Sequence, residues 1–247
     1  MLKMPAGALA ADAAPPPATR RLDAIRPYLQ ALTIFVGSRL MVALAVAFGK
    51  VYIPLGNDTW NAGPRWYHRL LRWDSEWYQL IAAQGYAFNG DAGERQTVAF
   101  YPLYPLLTRA VAAITGLPVV DALLLVANIA ALGAIVLLFR LVRSEFGDPV
   151  ALLTVALISF FPGSVFLSAG YTEPLTLLWI VGFFLALRRQ WFFAAAVLAG
   201  LAVATRSSGI VLWPVLLWEV CRHREIRQFA RDLVPLTVLA TSATKIV

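Results

Sequence analysis

Apolar runs without strict alternation recur along the chain, separated by short polar, aromatic or basic breaks. Residues 28–48 form the first run and match the ~20 residues a spanning helix needs. Runs at 119–139, 149–168, 174–187, 191–204 and 209–220 follow, and 233–247 begin a seventh crossing. Several of these runs are only ~14 residues, so spans built on them must extend into the adjoining loops. Long continuous runs predict helices and exclude a barrel, whose strands alternate. The pattern therefore predicts an all-α polytopic membrane protein, a helical bundle over 28–247. Residues 1–27 precede it as a low-complexity, Ala/Pro-rich segment with Pro15-Pro16-Pro17 and no periodicity, so a disordered N-terminus is expected. A small-residue cleavage site does not follow the first run, which favours a retained helix over a signal peptide.

Residues 49–98 are polar and aromatic and cannot span; with 99–118 they make a large first loop, 49–118. Within it, 65–84 has helical periodicity. Trp66, Leu70, Trp73, Trp77, Leu80 and Ile81 share one face, opposite Arg65, Arg72, Glu76 and Gln79. Such a helix suits the headgroup layer. If it is continuous, Asp74 borders the apolar stripe beside Tyr78. If it breaks near Trp73, Asp74 is an N-cap. The run 102–116 is short, carries Pro102, Pro105 and Arg109, and could either span or lie in the interface.

Composition and charge sharpen this picture. Of 247 residues, 60% are hydrophobic and 14% charged, with mean hydropathy +0.68, too apolar for a soluble domain. The net charge of +7 does not point to nucleic acid, because the basic residues cluster at the ends of apolar runs. Arg20, Arg21 and Arg26, Arg140 and Arg143, Arg188 and Arg189, and Arg222 to Arg227 all fall on one side if 102–116 is interfacial. The positive-inside rule makes that side, and the N-terminus, cytoplasmic. If 102–116 spans, the later clusters switch sides. The lone Cys221 permits no internal disulfide.

The opposite, exoplasmic face then receives 49–118, the stretch from Pro162 to Pro174, and Thr205 to Gly209. These carry Asp74, Glu76, Arg109, Tyr171, Glu173 and Arg206. Acids and arginines converging on one membrane face suit an anionic lipid substrate. A carboxylate can serve as general base to an acceptor hydroxyl, and arginines can hold a phosphate leaving group. Each residue also has a plain structural reading. Asp74 can cap a helix, Glu76 can sit on a solvated face, and Thr172 or Glu173 before Pro174 resembles a helix start. Arg206 and the mid-span Arg39 can snorkel, or Arg39 can face inward with a function. His68 reads as an interface residue, and with His223 in a basic loop the two cannot form one site. Metal-ligand spacing, a Gly-rich phosphate loop, a Ser-His-Asp order and a nucleotide fingerprint do not stand out, so no cofactor is assigned. Acids alone could still hold a divalent hard cation.

Four blocks in order resemble the PIG-V mannosyltransferase family. They are Arg72-Trp73-Asp74-Ser75-Glu76-Trp77-Tyr78 with Ile81-Ala82 and Gly85-Tyr86; Ala99-Phe100-Tyr101-Pro102-Leu103-Tyr104-Pro105-Leu106-Leu107; Phe161-Pro162-Gly163-Ser164-Val165-Phe166 with Ser168-Ala169-Gly170-Tyr171-Thr172-Glu173-Pro174; and Ala204-Thr205-Arg206-Ser207-Ser208-Gly209. The resemblance implies a polytopic glycosyltransferase of the C superfamily. Its donor would be a polyprenyl-phosphate hexose, commonly mannose, used on the exoplasmic face. The acceptor, a glycan, lipid or protein, is left open. The family's Trp-Asp pair falls on Trp73 and Asp74, making Asp74 the catalytic candidate. Its acidic turn falls on Glu173 and its arginine on Arg206. Trp73, Trp77, Tyr101 and Tyr104 would line the sugar or lipid path, and Arg206 with Arg109 would meet the phosphate.

In eukaryotes this family adds a mannose to a glycolipid anchor precursor, which implies the endoplasmic reticulum; a bacterial member would sit in the plasma membrane. Members are longer, with more spans, and this chain stops at Thr244-Lys245-Ile246-Val247 inside a predicted helix, so a C-terminally truncated member is expected. Two rivals stand beside the enzyme. One is a transporter or flippase of lipid-linked sugars, against which the scarcity of mid-span charges beyond Arg39 counts. The other is a non-catalytic assembly subunit.

Overall fold

A computed structural model describes residues 17–53, 65–91 and 93–223, and every regular element among them is helical. Seven α-helices occur: α1 (Pro17–Tyr52), α2 (Asp74–Gln84), α3 (Leu103–Thr115), α4 (Val119–Phe160), α5 (Glu173–Arg188), α6 (Phe192–Thr205) and α7 (Leu212–His223). Short 3-10 turns lie at Trp66–Leu70, Thr97–Ala99, Pro162–Leu167 and Ser207–Val211. The expectations for residues 1–16, for the basic stretch beyond His223 and for the run 233–247 lie outside the described residues.

Among the described residues, two helices are long and apolar enough to cross a membrane, Ile25–Tyr52 within α1 and Val119–Phe160. The first begins earlier than the sequence suggested. Residues 17–27, expected to be disordered, are helical, and α1 runs straight through Pro27. Tertiary contacts hold this end: the Tyr28 ring meets Phe139 edge-on at 4.9 Å, and the Arg143 guanidinium lies over Tyr28.

α4 is two helices joined at Gly147, whose φ of 80° takes it out of helical geometry, and Pro149 follows within the first turn of the second arm. Arg143 and Asp148 close the turn at 2.5 Å. The arms fold back on each other, so Ile135 and Phe139 share one core with Ala151 and Val155, and with Ala31 and Phe35 of α1. This αα-hairpin corresponds to the predicted runs 119–139 and 149–168, but its second arm stops at Phe160, because Pro162 cannot continue a helix.

α5 and α6 keep almost the limits of their apolar runs, contrary to the expected extension into the loops. At 14 residues, α6 is about 21 Å long, short of a ~30 Å hydrocarbon core. Gln190, with φ 57°, turns the chain sharply between them. Ala195, Ala196, Ala199 and Ala202 of α6 pack among Phe183, Ala186 and Leu216 of its neighbours. Small residues allow such close helix approach. The 13-residue α3 is amphipathic, burying Tyr104 and Thr108 while exposing Leu106 and Ile114.

The bundle thus has two distinct ends. One holds Tyr28, the Arg143–Asp148 turn and the Glu145–Arg188 ion pair. The other holds α2, α3, the Pro162–Leu167 turn and the start of α5, over a core of Leu71, Tyr78, Tyr104, Leu123 and Leu175.

Candidate active site

The amphipathic segment 65–84 breaks, as one of its two readings required. After Leu71 the chain turns at Trp73, with φ 52° and ψ −118°, and the Ser75 N–H donates to Arg72 O at 3.2 Å. These are the dihedrals of the first central residue of a type II′ turn, a position that favours glycine. The turn launches α2, with Asp74 as its first residue and Glu76 beside it, rather than with Asp74 as cap. Both acids are thereby in the first turn, where the helix dipole favours negative charge. Asp74 is exposed, Glu76 half-buried, and the Trp73 side chain 73% exposed.

A second segment, the link from α4 to α5, docks on this turn. The Tyr171 hydroxyl donates to Arg72 O at 2.9 Å, and the Gly170 N–H donates to Leu70 O at 3.3 Å. The approach is close at Gly170: a Cβ would stand 2.6 Å from Leu71 Cδ2 and 2.8 Å from Leu123 Cδ2, so a larger residue must push two buried leucine ends aside. Asn128 of α4 holds the same segment by donating to Ser168 O at 3.2 Å. Arg39 of α1 grips it hardest. Its guanidinium donates to Ser164 O at 2.6 Å, Ser159 O and Ser168 Oγ at 2.9 Å, and Ser164 Oγ at 3.1 Å. Arg39 therefore neither snorkels nor faces a substrate; it ties α1 to the loop that carries Tyr171 and Glu173.

The third contribution comes from the end of α6. Arg206, in extended backbone, donates to Glu173 Oε1 at 2.5 Å. Its place depends on Gly209, where a Cβ would come within 2.4 Å of the Ala202 carbonyl carbon, so the following turn lies directly on α6. Thr172 is the N-cap of α5, Glu173 its first residue, and Pro174 follows at a position that needs no N–H.

Electrostatics tie these pieces together. Burial raises the Tyr171 hydroxyl well above the ordinary tyrosine value, and the nearby Asp74 and Glu173 carboxylates add to the rise. Tyr78 is raised chiefly by burial; its hydrogen bond to Thr172 opposes the rise, Asp74 and Glu173 support it, and Arg206 opposes it. The Arg206 guanidinium is held further in its charged form, first by its hydrogen bond to Glu173. Asp74, Tyr78, Tyr171, Glu173 and Arg206 thus share one field at one end of the bundle. Beside them a cleft of about 310 Å³ is lined by Glu173, Thr176, Leu177, Ile180, Arg206 and Ser208.

Other expected site residues have different tasks. Arg109 donates to Ala82 O and Ile81 O, both at 2.8 Å, and so closes the C-terminal end of α2, about 11 Å along the axis from Asp74. It was expected to meet a phosphate; here its guanidinium binds two carbonyls of the last turn of α2, of which Ile81 O also accepts from the Gly85 N–H. Tyr104, expected on the sugar or lipid path, is fully buried, donates to Leu123 O at 2.9 Å and meets Tyr78 edge-on. Both are scaffold. Trp77 is half-buried and stacks on Phe100 at 5.7 Å, next to the partly exposed Tyr101. Away from this group, His68 lies 3.8 Å from Asp121, which is paired with Arg65. Among the described residues, no group of three or more His, Cys, Asp or Glu could enclose a metal ion. Asp74 and Glu173 would supply two carboxylates, one of them already paired with Arg206. Sequence reasoning passed over Thr176, read Thr172 only as a helix cap and gave Ser208 no role of its own. For Thr176, the available signal was its place one helical turn beyond Glu173 on the same face.

Comparison with known proteins bears on the same residues. The mannosyltransferase (PIG-V) family model matches residues 54–240, a range that includes the whole cluster. The chain is 32% identical over 170 residues to "GPI mannosyltransferase 2" of Drosophila pseudoobscura pseudoobscura, an alignment covering 62% of this chain and 36% of the fly protein. It is 32% identical over 167 residues to "GPI alpha-1,6-mannosyltransferase 2" of Mus musculus, covering 62% of this chain and 32% of the mouse protein. The "GPI mannosyltransferase 2" of Cryptococcus neoformans var. neoformans serotype D (strain JEC21 / ATCC MYA-565) is 32% identical over 152 residues, covering 57% and 34%. The chain spans about a third of the length of these curated relatives. No solved structure gives a significant match. With the family model covering most of its length and the Trp73-Asp74, Glu173 and Arg206 segments folded together, the chain belongs to the PIG-V mannosyltransferase family.

Proposed function

We propose that this chain carries the catalytic end of a membrane mannosyltransferase. It would move mannose from a polyprenyl-phosphate donor to an acceptor hydroxyl on the exoplasmic face. The observation that carries the reading is the convergence of Asp74, Tyr78, Tyr171, Glu173 and Arg206 at one end of a helical bundle. The orientation rests on the other end, where Arg143 and Arg188 lie. Basic residues favour the cytoplasmic side, which supports an exoplasmic Asp74. Relatives carrying the name GPI mannosyltransferase suggest a glycolipid anchor precursor as the acceptor class.

In this reading the exposed Asp74 carboxylate takes the proton of the acceptor hydroxyl as the oxygen attacks C1 of the mannosyl group. The bond from C1 to the phosphate oxygen breaks, and the anomeric centre inverts. Polyprenyl phosphate leaves with the negative charge, which the Arg206 guanidinium stabilises. Tyr78 and Tyr171, held protonated by burial and by the neighbouring acids, remain hydrogen-bond donors throughout. Trp73 and Trp77 offer aromatic faces to sugar or lipid. Arg39, the mid-span charge on which a transport path could rest, is committed to Ser159, Ser164 and Ser168, which favours transfer over flipping.

Transfer of radiolabelled mannose from polyprenyl-phosphate mannose, in membranes carrying wild type or Asp74→Asn at equal expression, tests the reading. The substitution should lower transfer by about 10²-fold or more. Undiminished transfer by Asp74→Asn would remove the base assignment, and no transfer by wild type would remove the enzymatic reading of this chain.

A further inference from the structure

Two residues that line the cleft beside Arg206 each carry a polar atom, enclosed just behind its surface, that the fold leaves unsatisfied. Glu173 Oε2 and Thr176 Oγ1 are buried and have no hydrogen-bond partner among the described residues. Thr176 is only 7% exposed, and both residues line the cleft. Buried polar atoms are nearly always paired, and each exception asks for a reason. The other Glu173 oxygen accepts from Arg206 at 2.5 Å. The two residues stand three apart on α5, so their side chains are neighbours on one face. The same face continues as Leu177 and Ile180, an apolar strip leading away from the polar end. The cleft is shallow and open, and its volume of about 310 Å³ is at the small end of the range that holds organic ligands, about 300–1,000 Å³.

The chemistry asked for is specific. A carboxylate oxygen needs a donor, and a threonine hydroxyl can take either role. Within reach is a guanidinium, suited to a phosphate, and below it an apolar wall. A hydroxyl-rich ring joined to a phosphate and a hydrocarbon tail meets all of these demands. Building on the proposed donor, we propose that Glu173 and Thr176 are specificity residues that read sugar hydroxyls. The donor phosphate lies against Arg206 and the first part of its lipid lies along Leu177 and Ile180. A second source of hydroxyls, the acceptor glycan, would use the same atoms without the lipid.

Binding separates these cases. The full chain in lipid nanodiscs would be titrated with radiolabelled polyprenyl-phosphate mannose and with polyprenyl phosphate lacking the sugar. Wild type should bind the sugar-bearing lipid about tenfold more tightly, the scale of one or two hydrogen bonds to buried polar atoms. Thr176→Val, which keeps the shape, should erase most of that preference while leaving the affinity for polyprenyl phosphate within about twofold. Thr176→Ser should restore the preference. A preference unchanged in Thr176→Val, or affinity for both lipids lost alike, overturns the inference. So does equal binding of the two lipids by wild type, which would assign these atoms to an acceptor or to water. Binding of neither lipid by wild type instead sinks the donor reading itself.

Discussion

Replacing Arg39 by Met tests the tie between α1 and the loop that presents Tyr171 and Glu173. Methionine keeps the length and apolar stem of the side chain and deletes every donor. The five acceptors left behind are two backbone carbonyls, Ser159 O and Ser164 O, and the buried hydroxyls of Ser38, Ser164 and Ser168. Hydroxyls can turn to other partners, whereas the carbonyls are fixed. A buried acceptor left unsatisfied costs about 1–3 kcal/mol, so two carbonyls set a loss of about 2–6 kcal/mol. For a protein of this size each kcal/mol lowers the melting midpoint by about 2–4 °C, so a fall of roughly 10 °C is expected. Circular dichroism melting of the full chain in nanodiscs reads it directly. Arg39→Lys should recover part of the loss, because an ammonium keeps the charge but not the planar fork that reaches both sides of the turn. A melting midpoint within about 2 °C of wild type would mean that Arg39 merely snorkels. Lysine no better than methionine would refute the claim that charged hydrogen bonds hold the turn.

Two further outcomes follow from the site. Trp73 occupies a positive-φ turn position with a side chain that is mostly exposed. Relief of strain, about 1–3 kcal/mol, should outweigh the chain entropy of glycine, so Trp73→Gly should raise the melting midpoint by a few degrees while weakening donor binding; a lower midpoint would refute the strain. Tyr78 and Tyr171 are raised above the ordinary tyrosine value by burial first and by neighbouring carboxylates second. The folded state therefore holds their protons more tightly than the unfolded chain does. The stability this contributes is complete below the ordinary value of about 10 and is lost as pH rises past it toward the raised values. The melting midpoint should fall above about pH 10, less steeply in a Tyr78→Phe, Tyr171→Phe variant; an equally steep fall would assign the transition to other groups.

The sequence by itself determined the helical class, narrowed the segment around Trp73 to a continuous helix or a break, and marked the three segments that meet at the site. These are local matters. Apolar runs specify helices, Pro162 and Pro174 mark a helix end and a helix start, and acids cluster where helices begin. The family's Trp73-Asp74, Glu173 and Arg206 were legible because each belongs to a short contiguous block. Charge clusters also separated the two ends of the bundle, since Arg143 and Arg188 do lie opposite the Asp74 end.

Tertiary structure alone decided what each polar side chain does. Arg39 and Arg109 are both arginines in apolar surroundings, and their sequence neighbours do not distinguish them. One grips a turn 120 or more residues away, and the other closes the end of α2. Tyr101 and Tyr104 sit three residues apart, yet one is partly exposed and the other wholly enclosed beneath Tyr78. For Thr176 the sequence offered only its place one turn beyond Glu173; the packing of α5 beside Arg206 is what leaves its hydroxyl without a partner among the described residues. The physical reason is common to all of these. Helix formation depends on residues a turn apart, whereas a side chain's partner depends on which helices pack together, and that choice is made by contacts distant in sequence.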